Sequence, residues 1–570
     1  MYLKKTKQKT GRIYLSIVDT YRDKEKGYAR TVTVEKVGYL DELEKDYDDP
    51  IAYFKQRVQQ LKEKKAEKVA PVTLSFNHDD NLSVGQINRK NFGYMILSMI
   101  YHELQIDKFL KNKQRQSKIN YNVNDIMKLL VFSRLLYPGS KKKAFENKEK
   151  YFDKHNYSLD DVYRSLSFFY KHSSLLQTKI NDRIKSVYGR KTDLVYYDVT
   201  NYYFETDVND ELRKKGVSKE HRPNPIVQMG LFMDTKGIPI TFKLFSGNTN
   251  DCLTFRPGFS DIHKEYNLGR VVVVADKGMT TGDNINYILS GKHGYVFSMS
   301  VRGASKAFKK YVLDKKGYTW KGKEYKRKSR LEPRTINVTS KNNKKIKKQV
   351  DEKQVIFYSE KYAKKAKADR EKAIKKAQEI IDNPSRYKKS SSYGAAGYIK
   401  NIQVDKETGE IITPHDQLQF DYEKLQEEEA LDGYYAIVTS EYKESDDHII
   451  DMYRGLWRIE ESFRVTKSDL EARPVYVSTE EHIHAHFLTC FIALVIARVI
   501  EVRLDYKYSV GKLLESLSKA ECTHMKQNYY LFDHYDDVLK ALGEHFDIDF
   551  SKQIRSQGEI KKILAGTKKQ

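Results

Sequence analysis

The chain has 570 residues, with 103 Lys and Arg against 78 Asp and Glu, a formal charge of +25. Its 39% hydrophobic and 12% aromatic residues exclude global disorder, and at about 150 residues per domain three or four domains are expected. Cys252, Cys490 and Cys522 lie far apart, which argues against a disulfide framework or a cysteine-based zinc site, while a pI near 9.4 favours a polyanionic partner such as nucleic acid.

The N-terminal MYLKKTKQKTGRIY has no apolar run and does not read as a signal peptide. Residues 12–18 and 28–37 alternate and are β-branched, predicting a hairpin across a polar turn, and 48–69 reads as a charged helix. From 82 to 190, NFGYMILSMIYHEL, VNDIMKLLVFSRLLY and LDDVYRSLSFFY repeat apolar residues at three and four, so helices are expected, one of them broken at Pro138-Gly139. Such a region ahead of a catalytic domain either holds DNA or is scaffolding.

Strands follow. DLVYYDVTNYYF (193–204) is rich in Val and Tyr, 226–234 and 238–245 flank a Lys236-Gly237 turn, and RVVVVAD (270–276) is a continuous apolar run suited to a strand buried on both faces. A helix over 282–290 and a strand over 294–301 complete a mixed α/β sheet covered by helices. Between Lys306 and Gln349 there are 17 Lys or Arg against three acids, interleaved with Trp320 and Tyr325, which suits contact with a DNA backbone, the alternative being a solvated charge run. Tyr362 to Ile381 predicts an amphipathic helix ending at Asn383-Pro384, and 433–440 another strand. A helix over 446–470, a buried helix over 482–502 containing the apolar run Phe487–Ala497, and a polar helical tail close the chain. That run is too short to span a bilayer, so a soluble protein without a membrane partner is expected.

Three acids stand where a sheet-based metal site would need them. Asp198 interrupts the apolar strand, and a buried carboxylate is costly unless paired or bound to metal. Asp276 ends the run VVVVA, at the strand end where ligands bind in α/β sheets. On the helix 446–470, the residues Ile449, Met452, Leu456, Ile459, Phe463 and Leu470 fall on one stripe. At ~100° per residue Glu460 lies roughly 65° from its centre and Glu461 roughly 165° away, so Glu460 borders the core and Glu461 is expected in solvent. Tyr453, Trp457, Arg464 and Lys467 share the strip of Glu460. Glu205 and Asp207 are further acids that stay open as ligands should the strand register shift. His482, His484 and His486 alternate, but in a helix they do not share a face.

Taken in order, YYDVTNYYF, GLFMDTKGIPITFKLFSGNTND, VVVVADKGM and YRGLWRIEESFRVTKSDLEARPVY resemble the DDE transposases of bacterial insertion sequences. The nearest group is the superfamily named after insertion sequence four that carries a β-rich insertion. The resemblance implies a ribonuclease H-like core with Asp198 in a D-x-T motif with Thr200, Asp276 in a D-x-G motif with Gly278, and Glu460 as the third catalytic and metal-binding acid. Tyr453, Glu460 and Lys467 match the family's helix signature, whereas position 456 is Leu where the family has Arg; Arg464 could substitute, and Arg473-Pro474 resembles a branch without that Arg. Implied cofactors are two Mg²⁺ ions, with Mn²⁺ as a substitute, which suit a cage of carboxylate oxygens and in-line phosphoryl transfer. No nucleotide cofactor is implied, and no phosphate-binding G-x-x-x-x-G-K-[ST] loop is present. Implied partners are double-stranded DNA, as transposon ends and target, and a second copy of the chain in a homodimeric synaptic complex. Expected DNA contacts are Thr200, Tyr453, Trp457, Arg464 and Lys467 near the acids, and Lys326, Arg327 and Lys328 in the insertion. A cytoplasmic, nucleoid-associated bacterial protein is expected. The expected domains are 1–75 (hairpin and helix), 76–190 (helical, binding DNA ends), 191–302 (first part of the core), 303–432 (basic β-rich insertion), 433–505 (second part of the core with the acidic helix) and 506–570 (C-terminal helical region). The alternatives are a ribonuclease H-like nuclease or resolvase, and an inactive DNA-binding derivative.

Overall fold

The computed structural model describes residues 1–569 apart from 9–10, 23–28, 68–72, 75–76, 80, 221, 267, 341, 388–393 and 405–409. The chain forms two compact units, Met1–Leu82 and Ser83–Gln570. In the first, β1 (Tyr2–Lys7), β2 (Ile13–Arg22) and β3 (Ala29–Tyr39) make an antiparallel sheet in that order, followed by the helix Pro50–Glu67. Leu15, Ile17 and Val18 of β2 are buried together with Phe54 and Val58 of the helix. The expected hairpin is present; its turn, and the start of its second run at Tyr28, lie outside the described residues. β1 escaped the reading because YLKKTK is exposed at all but one position, so no apolar alternation marks it.

In the second unit β4 (Arg89–Asn91) precedes the expected helices, among them Tyr94–Glu103, Val123–Leu136 and Leu159–Lys171. The main strands are β5 (Leu194–Tyr203), β6 (Ile226–Met233), β7 (Pro239–Ser246), β8 (Val272–Ala275) and β9 (Gly294–Met299). The insertion contributes β10 (Thr319–Lys321), β11 (Tyr325–Thr339), β12 (Lys345–Tyr358) and the small pair β13 (Ile399–Lys400) and β14 (Gln419–Phe420). β15 (Tyr434–Thr439) follows, then β16 (Glu521–His524), β17 (Tyr529–Phe532) and β18 (Ile554–Ser556). One nine-stranded sheet has the order β10-β11-β12-β15-β9-β8-β5-β6-β7. β5, β6 and β7 form an antiparallel meander, and β5, β8 and β9 run parallel. This is the mixed, ribonuclease H-like core that was expected.

The structure adds to the expected domains. Within the insertion β12 pairs with β15, so β10–β12 prolong the core sheet, and a 23-residue helix (Glu360–Asp382, capped at Asn383) carries much of the remainder. Region 76–190 is no separate unit, because its helices Val123–Leu136 and Leu159–Lys171 pack on the helix Glu480–Arg503 and share one apolar cluster with it. The C-terminal region is only partly helical: β16, β17 and β18 join β4 in a four-stranded sheet, tying the end of the chain to residues 89–91. Glu480–Arg503 is, by length and composition, the one helix among the described residues able to cross a membrane; 94% of its apolar window is buried inside the protein, as a core helix would be.

Candidate active site

Strand alternation builds the site. Along β5, Val195, Tyr197 and Val199 enter one apolar cluster while Tyr196 and Tyr202 enter the other. Asp198 and Thr200 therefore point to the side of Tyr196. β8 alternates in the same way, Val272 and Val274 joining the Tyr196 cluster and Val273 and Ala275 the other, so Asp276 emerges on the side of Asp198. Tyr196 lies opposite Val274 in the last pair of this parallel ladder; both chains run two residues further, to Asp198 and Asp276, and the charge of Asp276 helps raise Asp198. On β9, Val296 is opposite Val274, and two residues on Ser298 donates its hydroxyl to Asp276 Oδ1 at 2.6 Å. Val199 N–H donates to Asp198 Oδ1 at 2.7 Å.

The third acid comes from above the sheet. The expected continuous helix is broken into Asp446–Arg454, Trp457–Arg464 and a π-helical turn, Val465–Asp469. At the break, a side chain on Gly455 would collide with Tyr196 Oη, so the segment lies directly on β5. The predicted stripe from Ile449 to Leu470 is buried throughout. Glu460 stands at its rim, exposed, and its carboxyl is raised by partial removal from water and by the charge of Asp276, against Lys365. Burial pushes Asp198 up to about 6, opposed by Lys219 and Val199 N–H and reinforced by Asp276 and Glu460. Asp198 thus feels both other acids, and Glu460 feels Asp276. Tyr453 donates its hydroxyl to Asp276 Oδ1 at 3.4 Å.

Glu461 is not in solvent as expected. It accepts from Arg498 Nη1 at 3.0 Å, and Arg498, with a side chain 2% exposed, also binds Glu501 and Ser462. The helical wheel located one buried face; the helix Glu480–Arg503 closes a second.

Beyond Asp198 lies a group of cations. Lys467 Nζ donates to Glu220 Oε1 at 3.0 Å, and the Arg473 guanidinium pairs with the same oxygen. Burial and the neighbouring Lys219 pull the Lys467 ammonium down to about 8, with Asp198 acting the other way. Lys219 donates to Val199 O and pairs with Asp251 at 3.5 Å. Arg464, the expected substitute for the missing family arginine, is engaged with Asp469 at 3.4 Å.

The family profile of the transposase DDE domain matches residues 212–496, half of the chain, spanning Asp276 and Glu460. The chain belongs to the DDE transposases. A second profile, the N-terminal domain of IS1634 family transposases, matches residues 3–72. Among solved structures the transposase is similar to the piggyBac transposase in a synaptic complex with hairpin DNA (6% identity, 80% of this chain and 86% of that chain, TM-score 0.28). It is also similar to the Mos1 transposase in a paired-end complex with the left transposon end (12% identity, 31% of this chain and 59% of that chain, TM-score 0.14). No curated protein matches.

Among the described residues of the transposase, no three His, Cys, Asp or Glu side chains converge closely enough to hold a metal ion as they stand. The donor set nevertheless suits a hard divalent cation. Asp198, Asp276 and Glu460 share one face, while Lys219 and Lys467, the cations nearest Asp198, pair with Asp251 and Glu220. Lys219 and Lys365 offset only part of the negative charge where a cation would sit, and the carboxylates that would have to close on it, Asp276 and Glu460, are the exposed ones. Asp276, Ser298 and Tyr453 line a cleft of about 310 Å³ with Arg302 and Tyr434. A second cleft of about 630 Å³, lined by Arg330 and Arg334, shares Lys277 and Ser298–Ser300 with it.

The expected DNA contacts divide. Trp457 is 52% exposed three residues before Glu460, whereas Thr200 is 4% exposed. Lys328 is no surface contact: it is 5% exposed, and its ammonium donates to the carbonyls of Tyr311 and Asp314. Arg327 is held by Asp447 at 2.7 Å, tying β11 to the helix Asp446–Arg454. Lys326 lies among the rings of Tyr318, Tyr358 and Tyr434, at 4.8, 4.9 and 5.6 Å. Counting charges in the run did not reveal these partners. Glu205 and Asp207 follow β5 on an exposed loop, and the three histidines form no shared site. Lys219, Glu220 and Ser298 went unrecognised; extending the β8 register to β9 would have found Ser298.

Proposed function

We propose that the transposase binds the ends of its insertion sequence, cuts them with Asp198, Asp276 and Glu460 as catalytic acids, and joins the freed 3′-hydroxyls to target DNA. The observation that carries this is that Asp198 and Asp276 follow the paired stretches Leu194–Tyr196 and Val272–Val274 of neighbouring parallel strands, and that the charges of Asp276 and Glu460 raise Asp198 while that of Asp276 raises Glu460, against the opposing charges of Lys219 and Lys365. Asp198, Asp276 and Glu460 would hold two Mg²⁺ ions, or Mn²⁺ in their place, which would supply Lewis-acid stabilisation for an in-line displacement. The protein orients the acids. The Val199 N–H and the Ser298 hydroxyl each fix one oxygen, on Asp198 and Asp276, and Tyr453 closes over the latter. Lys467 offers positive charge to a phosphate, and exposed Trp457 a face on which a base can stack. Water first attacks the phosphorus and the element's 3′ oxygen leaves, taking up a proton; that 3′-hydroxyl then attacks the phosphorus of a target phosphodiester, losing its proton as the target's own 3′ oxygen leaves. A homodimer, in which each subunit cuts the end held by the other, and a bacterial, nucleoid-associated setting belong to the same proposal.

The test is incubation with Mg²⁺ and a duplex carrying the DNA that flanks the coding region, 5′-labelled on the strand whose 3′ end is to be freed, plus plasmid target. Nicks at the end and label joined to plasmid support the proposal; nicks without joined product would make the protein a nuclease.

A further inference from the structure

The loop between β5 and β6 brings Glu220 against Lys467 and Arg473, two cations from the segment that follows the acidic helix. Both cations converge on one oxygen, Oε1. We propose that Lys467 and Arg473 form a subsite for a DNA backbone phosphate, and that Glu220 is its built-in occupant in the free protein, displaced when DNA binds. The inference rests on the transposase reading above.

A carboxylate and a phosphate are the anions that a paired ammonium and guanidinium recognise, by charge-assisted hydrogen bonds to closely spaced oxygens. Glu220 therefore satisfies the two cations as a phosphate would. The position suits the substrate: Lys467 lies close enough to Asp198 to feel its charge, and Lys219, next to Glu220, donates to the carbonyl of Val199 beside that acid. A strand crossing Asp198 would pass this point.

The cations are also held without Glu220. Val475 N–H donates to Tyr203 O at 3.2 Å, fixing the strap that carries Arg473 to the end of β5. Just ahead of Arg473, Arg134 donates to the carbonyls of Leu470 and Glu471 at 3.0 Å each. Lys467 stands over the ring of Tyr202 at 5.6 Å, and Arg473 over that of Tyr203 at 5.9 Å. Glu220 belongs to a surface loop with a side chain 23% exposed, so it can leave by rotating its side chain while the cations stay. Its departure bares two positive charges, 13% and 24% exposed, beside the acids. DNA must then compete with an internal anion, which lowers affinity for every duplex alike.

The test is fluorescence anisotropy of a labelled duplex carrying the flanking DNA, without divalent ions, so that binding is read apart from cleavage. Replacing a charge-assisted contact by a neutral one predicts that Glu220→Gln binds about tenfold tighter than wild type. Arg473→Gln alone binds more weakly, and Glu220→Gln combined with Arg473→Gln loses the gain. Glu220→Gln that binds equally or more weakly at an unchanged Tm overturns the proposal and leaves Glu220 a structural partner. Should Glu220→Gln melt early, Glu220→Asp, too short to reach both cations, must also bind tighter or the proposal fails. A wild-type protein that binds no duplex at low salt would instead overturn the transposase reading itself.

Discussion

Asp198 shows what a buried carboxylate costs the fold. It sits in a strand whose neighbours Tyr197 and Val199 are buried, and its pKa rises from 3.8 to about 6. Between those values the native state holds more protons than the unfolded chain, so stability falls as pH rises through the window, and the full penalty remains above pH 6. Asp198→Asn should therefore raise the metal-free stability by about 2 kcal/mol at pH 7, by urea unfolding, with the gain fading towards pH 4. The same variant should lose cleavage. Equal stability of the two proteins at pH 7 would mean that the carboxylate is not held in a desolvated, like-charged setting. Glu461 predicts the reverse pattern. Glu461→Gln removes one partner of nearly buried Arg498 and should cost roughly 1 kcal/mol, read as a lower Tm, with cutting intact at low temperature. Residue-level reading of the sequence separated Glu460 from Glu461 because the angle between them on the helix is large. It could not give Glu461 a partner, since Arg498 comes from an element 37 residues away. Glu220 was hidden for the same reason, 247 residues from Lys467.

Elements place these side chains, and two are informative. The acidic helix breaks at Gly455 because only a residue without Cβ fits against Tyr196 Oη. Gly455→Ala should lift the helix from β5, costing about 1–3 kcal/mol in unfolding experiments and abolishing cleavage while duplex binding persists. Full activity would mean that Glu460 does not depend on this contact. The periodicity of 446–470 revealed the buried stripe but not the break or the π-helical turn, because a close approach to a strand leaves no mark in an apolar pattern. The other element is the hairpin β11–β12. Lys326, Arg327 and Lys328 at its base are occupied by rings, Asp447 and carbonyls, whereas Lys344, Lys345 and Lys347 near its tip are exposed. Replacing these three tip lysines by Gln should weaken duplex binding and flatten its dependence on salt, each phosphate contact removed lowering the log–log slope by about one. An unchanged slope would exclude the tip from the DNA surface.

At the scale of the whole molecule, one sheet carries both the acids and the basic hairpin. β9, which supplies Ser298 to Asp276, pairs with β15, and β15 with β12, so the insertion is hydrogen-bonded to the site through two strands. The sheet's strands were legible from their β-branched runs, and Asp198 and Asp276 from being carboxylates within or at the end of such runs. The continuity of the sheet was not legible, because pairing between β12 and β15 spans a long helix and a small β pair. Likewise, helices of the region 76–190 have apolar faces that fit scaffolding or DNA binding equally; their packing on Glu480–Arg503 places those faces in the core.

The central claim is that three distant acids act as one centre. The most direct measurement is mapped cleavage of the flanking duplex in Mg²⁺ by wild type, Asp198→Asn, Asp276→Asn and Glu460→Gln, with binding of the same duplex measured alongside. The account predicts nicks at the element's ends for wild type, none above background for each of the three variants, and retained binding for all four. Cutting at the wild-type rate by any one of the variants would contradict it.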